Sequence, residues 1–110
     1  MSAKVKDLLE AAGANVELST GGEISYAMTI VIECQEMSGA EIDTLYAMHD
    51  TGPLFDGDVP SKSGRNALID KGYAAKVVVN GEEGYNACTY RGARAYRVLK
   101  AIKAAREKQQ

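Results

Sequence analysis

Residues 54–73, LFDGDVPSKSGRNALIDKGY, decide how the second half of this chain folds. Leu54, Phe55 and Val59 are apolar anchors around an Asp-Gly-Asp turn, and Pro60 stands just ahead of a run with helical character. Proline is favoured where a helix begins and glycine just past its end, so Pro60 and Gly72 bracket a helix over about residues 61–71. Gly64, Leu68 and Ile69 fall on its inward face, which leaves Lys62, Ser63, Arg65 and Asn66 as a polar set near the exposed first turn. Gly57 and Pro60 oppose helix, so GPLFDGDVP leaves room for at most one helical turn before Ser61.

Downstream, YAAKVVVNGEEGYNACTY predicts two strands about a turn that contains Asn80-Gly81 and Gly84, with a loop of two residues or more. Thr89 then caps a helix with Ala93, Tyr96, Leu99, Ile102 and Lys103 along it, and Arg91, Arg94, Arg97, Lys100 and Arg106 as a basic outer face. Upstream, SGAEIDTLYAMHDTGP offers a capping box from Ser38 to Glu41, an apolar face of Ile42, Leu45, Tyr46 and His49, and a Gly52-Pro53 terminator. The chain begins with a short helix over AKVKDLLEAAG that turns Val5, Leu8, Leu9 and Ala12 inward and stops at Gly13. ANVELSTGGEISYAMTIVIECQE follows; its β-branched residues and the Gly21-Gly22 pair predict a β-hairpin.

The expected class is therefore α+β: helices plus a β-hairpin in residues 38–110, preceded by a helix and hairpin in residues 1–37 that pack on this main domain. At 110 residues and 45% hydrophobic content, the chain suits one compact domain with one core. No apolar run approaches the roughly 20 residues that cross a bilayer, and the N-terminus does not read as a signal peptide, so the expected setting is cytoplasmic, without membrane. Cys34 and Cys88 lie far apart, without a CxxC and with a single histidine in the chain, which argues for reduced, buried thiols in β-like runs and against a zinc cluster. Charge is segregated along the chain. Residues 1–55 hold two Lys against nine Asp and Glu, a net of −7, whereas residues 56–110 hold eleven Lys and Arg against six acids, a net of +5.

Catalytic and cofactor chemistry find no pattern here. His49 and Asp50 lack a nucleophile elbow or oxyanion loop, and a histidine near a helix end is explained by the helix dipole. Asp56-Gly57-Asp58 lacks the continuation of a calcium loop and reads as a polar turn, while GEEG lacks the lysine of a phosphate loop. The expectation is a non-enzyme with no metal and no cofactor.

From about Ser38 to Ala105 the chain resembles a winged helix-turn-helix domain. The resemblance is carried by ALIDKGYA as the end of a recognition helix entering the wing, KVVVNGEEGYNACTY as the wing, and RGARAYRVLKAI as the closing helix. The stretch GPLFDGDVPSKSGRNALIDKGYA is also similar to small uncharacterised phage and prophage proteins. In winged-helix proteins the recognition helix enters the major groove and the wing touches phosphates or the minor groove. The resemblance thus implies a small transcriptional regulator on double-stranded DNA, with helix contacts at Lys62, Ser63, Arg65 and Asn66 and wing contacts at Lys76, Asn80 and Arg91. Two features depart from the pattern: the shortened second helix, and Glu82 and Glu83 at the wing tip, which repel phosphates. They favour the alternative, an adaptor or inhibitor, phage-encoded against a host or its defences, that grips a protein with the same surface; the eleven basic residues past residue 55 favour DNA, the expected target, with the acidic first half as a contact for a homodimer or another partner.

Overall fold

A computed structural model describes residues 4–108, and its class is α+β, with five helices and one three-stranded antiparallel sheet. The order is α1 (Val5–Ala11), α2 (Gly21–Glu36), α3 (Gly39–Thr51), β1 (Leu54–Phe55), a 3-10 turn (Asp56–Asp58), α4 (Lys62–Asp70), β2 (Ala74–Val79), β3 (Glu82–Cys88) and α5 (Tyr90–Glu107). Two compact units divide the chain. One contains α1, α2 and α5 from Arg94 onward; the other runs from Met37 to Ala93 and contains α3, the sheet, α4 and the first turn of α5.

In the helical unit, α1 buries Leu8 and Leu9 while Val5 stays exposed, and the chain leaves the helix through Gly13 at φ 99°. The Asn15 side chain then accepts the N–H groups of Glu17 and Leu18, bending the chain toward α2. The hairpin expected over residues 14–36 is not formed; α2 occupies Gly21–Glu36. Gly21 and Gly22 are not a turn but the first helical turn, which Thr20 caps by accepting the Glu23 N–H at 3.2 Å. The buried residues Ala27, Ile30, Val31 and Cys34 follow the i, i+3, i+4, i+7 spacing of a helix, and burial of that stripe outweighs the β propensity of Thr29-Ile30-Val31-Ile32. Cys34 is therefore a helical residue, buried, with its thiol 3.6 Å from the Ala95 carbonyl. In α5 the inward residues are Ala95, Val98 and Leu99. Tyr96 is only half-buried, and Arg94, expected on the outer face, is half-buried over the Tyr26 ring at 5.3 Å.

In the second unit, Ser38 and Glu41 form the expected capping box: the Ser38 hydroxyl accepts the Glu41 N–H, and the Glu41 carboxylate accepts the Ser38 N–H. The buried face of α3 is Glu41, Thr44, Leu45 and Met48, rotated from the expected one, and His49 is exposed. Glu41 is drawn inward because its carboxylate accepts the Lys71 ammonium at 2.9 Å from the end of α4. Ser61 caps α4 through the Gly64 N–H, and α4 lies so close to the start of α3 that a Cβ at Gly64 would stand 2.8 Å from the Ala40 carbonyl oxygen.

The expected hairpin at residues 74–88 is present, and its loop has two residues. Asn80 at φ 52° and Gly81 at φ 79° supply the left-handed pair that a tight hairpin turn needs. Ala74 to Val77 pair with Cys88 to Tyr85; Val79 then pairs with Glu82, so β3 carries one extra residue between the two registers. Gly84 at φ 91° absorbs that bulge, and the edge of the Phe55 ring fills the space where its Cβ would be. The third strand, β1, sets Leu54 opposite Asn86 and Phe55 opposite Tyr85, giving the order β1-β3-β2. Thr89 joins three elements: its hydroxyl accepts the Gly92 N–H at the start of α5 and donates to the Gly72 carbonyl after α4 at 2.6 Å, while its N–H donates to Tyr73 at the entry to β2.

Candidate interaction surface

The short β1 strand and the turn after it set one carboxylate at a junction. Asp56 Oδ1 accepts the Arg65 guanidinium from α4 at 2.7 Å, the Lys76 ammonium from β2 at 2.7 Å and the Asn86 amide from β3 at 2.8 Å. The Lys76 and Asn86 hydrogen bonds hold the Asp56 carboxyl below the usual carboxylate range, with the charges of Lys76 and Arg65 adding to them. Asn86 is fully buried and also donates to the Leu54 carbonyl, tying the sheet to the turn. Arg65 is only 9% exposed, and its Nε donates to the Asn66 side chain at 3.0 Å.

Of the residues expected to contact DNA, the structure brings Arg65, Asn66 and Lys76 together around Asp56. Lys62 and Ser63 are exposed in the first turn of α4, with the Ser63 hydroxyl 3.2 Å from that of the capping Ser61. Asn80 is exposed at the hairpin tip, away from the Asp56 junction. Arg91 is half-buried, its guanidinium 4.8 Å from the centre of the Tyr73 ring. Asp56 and Asn86, which organise this junction, are not among the residues expected from sequence. The Asp56 partners lie 9, 20 and 30 positions away along the chain, beyond any local pattern.

The unit from Met37 to Ala93 carries eight acidic and five basic residues, a net of −3, and Glu82 and Glu83 stand exposed at its tip. The basic excess of the second half instead lies on α5 and just beyond, where Arg97, Lys100, Lys103, Arg106 and Lys108 are exposed and Glu107 is the sole acid after Arg94. On the sheet, Phe55, Val77 and Tyr85 share the face opposite Leu54, Lys76 and Asn86. This strip is uncharged, Phe55 is 46% exposed, and its ring meets Tyr85 edge-on at 5.5 Å.

Cys88 lines a cavity of about 250 Å³ with Met48, His49, Pro53 and Ala93. Burial pushes the Cys88 thiol up to about 11, so it is protonated at neutral pH and is not an activated nucleophile. Among the described residues, no three His, Cys, Asp or Glu side chains converge as a metal set, and no helix is long and apolar enough to cross a membrane. Comparison with protein-family models, curated proteins and solved structures gives no match to this chain.

Proposed function

We propose that the unit from Met37 to Ala93 is a winged-helix variant that binds a protein, acting as an adaptor or inhibitor. Support for the winged-helix reading comes from the order of elements, with α4 in the place of the recognition helix, β2 and β3 as the wing, and a single 3-10 turn where a second helix would stand. One observation carries the protein-binding reading: Asp56 takes up both Arg65 and Lys76, two of the cations a duplex would need, inside a unit of net charge −3. A phosphate backbone gains its affinity from cations that neutralise it, and this surface is short of them. An uncharged strip at Phe55, Val77 and Tyr85, rimmed by Glu82 and Glu83, has instead the make-up of a protein contact: an apolar centre with aromatic residues and a polar rim.

The test pairs two measurements on wild type and Phe55→Glu. Cross-linking in an extract of the source cells is expected to yield a defined protein adduct with wild type that Phe55→Glu loses, and fluorescence polarisation with a random duplex at low salt is expected to show no tight binding. Micromolar duplex binding that Phe55→Glu leaves intact, with no adduct, overturns the proposal. The exposed cations of α5 favour a second reading, contact with a nucleic acid or other polyanion through that helix rather than through α4.

A further inference from the structure

Backbone geometry at β2 points to how a protein partner would be held. Thr89 N–H donates to the Tyr73 carbonyl, and bonded and non-bonded pairs alternate along an antiparallel ladder. Tyr73, Ala75 and Val77 therefore turn their backbone groups toward β3, as does Val79 at the hairpin-closing pair. Ala74, Lys76 and Val78 turn theirs away. The strand order leaves β2 at the sheet edge, and among the described residues no backbone group bonds the outward N–H and C=O of Lys76 or Val78. Ala74 is buried, so the open edge is the stretch from Lys76 to Val78, where Val78 is 62% exposed.

Proteins commonly guard such an edge with a lysine projecting into solvent. Here the Lys76 ammonium is drawn across its own sheet onto Asp56, which leaves the edge itself uncovered. We propose that this edge accepts an extended, basic segment of a partner protein as an added antiparallel strand; the proposal rests on the protein-binding reading above and names its mode. Alternate side chains of the added strand would lie beside Val77 and lengthen the apolar strip of Phe55, Val77 and Tyr85. Charge selects the occupant. Glu82 and Glu83 at the tip and the net charge of −3 attract a basic segment, whereas a second copy of the same edge would bring like charge against it. In the antiparallel sense, the N-terminal end of the guest lies at the hairpin tip, so its basic residues belong there.

The probe is the blocked heptapeptide KKVTVTV, compared with KKVPVPV, which keeps the charge but cannot complete a ladder, and with EEVTVTV. Amide spectra of isotopically labelled protein are expected to show shifts and slowed hydrogen exchange at Lys76 and Val78 with the first peptide. Losing its ladder bonds should weaken the proline peptide by roughly tenfold or more, and the glutamate peptide should bind more weakly still, the gap closing as salt rises. Val78→Pro removes an outward N–H and should abolish peptide binding without lowering the thermal midpoint appreciably. Equal binding of KKVTVTV and KKVPVPV, or protection confined to other amides, overturns strand addition; self-association of the protein through the Lys76 and Val78 amides overturns the choice of occupant. The cross-linked adduct separates the two levels. If Phe55→Glu abolishes it and Val78→Pro does not, the protein contact stands and strand addition falls, and if neither abolishes it, both the Phe55 strip and the β2 edge fall as the contact surface.

Discussion

At the scale of single residues, Asp56 has the widest reach, because one carboxylate oxygen holds a helix, a strand and a buried amide in register. Asp56→Asn should lower the thermal midpoint, since the nearly buried Arg65 guanidinium loses its counter-charge. The same change should strengthen retention on a polyanion such as heparin, because the unit's net charge rises by one and Lys76 is released. Two carboxyls also make stability depend on pH. Burial alone would raise Glu41, but the Lys71 ammonium and the Ser38 hydrogen bonds outweigh it and hold the carboxyl low; Asp56 is held low by Lys76 and Asn86. Because folding depresses both, the unfolded chain binds more protons as pH falls. Their contribution is thus complete above the ordinary values of 4.5 and 3.8 and is lost as pH drops through the folded values. Denaturant titrations from pH 7 down to pH 3 should show this decline, and Glu41→Gln should flatten its upper part. Gly64→Ala forces a methyl group against the Ala40 carbonyl and should destabilise by about 1 to 3 kcal/mol in the same titrations.

At the scale of elements, the joints decide more than the rods. Thr89 caps α5 and also bonds the chain after α4, so Thr89→Ala should cost about 1 to 2 kcal/mol, at the upper end for a capping residue. Thr89→Ser, which keeps the hydroxyl, should restore most of that loss; chemical denaturation of the two variants is the measurement. The second element that tests the architecture is α2. Backbone chemical shifts should be helical and continuous from Gly21 to Glu36, including the β-branched run at Thr29 to Ile32. The thiols report on two elements at once: Cys34 is sealed within the helical unit and Cys88 is half-buried with a raised pKa, so both should react slowly with a thiol reagent in native protein and fast after unfolding.

At the scale of the whole molecule, the cations concentrate on one segment, while the acids of residues 1–36 leave the helical unit nearly neutral as a whole. The sheet-bearing unit is net acidic, while residues 94–108 hold six cations and one acid. Any polyanion binding should therefore follow α5: Lys100→Glu with Lys103→Glu should weaken heparin retention strongly and reduce its salt dependence, whereas Lys62→Ala on α4 should change it little. Retention that instead depends on Lys62 would return the phosphate contact to the first turn of α4.

Much of the second half is legible in the amino-acid sequence by itself, because its signals are local. The Ser38–Glu41 box, the Gly52 and Gly72 stops, the Ser61 start and the Asn80-Gly81 turn each act within four residues, and backbone sterics and orphan hydrogen-bonding groups leave such positions few alternatives. In α2 the local signals conflict: a glycine pair and β-branched residues argue for a hairpin, while the spacing of Ala27, Ile30, Val31 and Cys34 argues for a helix. Burial of that stripe decides it. Tertiary structure alone decides the candidate site. Arg65 and Lys76 look like free cations in the chain, but a two-residue strand pairing with β3 carries Asp56 to them from a distant position, and a cation already held by a carboxylate, above all the nearly buried Arg65, gains less from a ligand that must displace it.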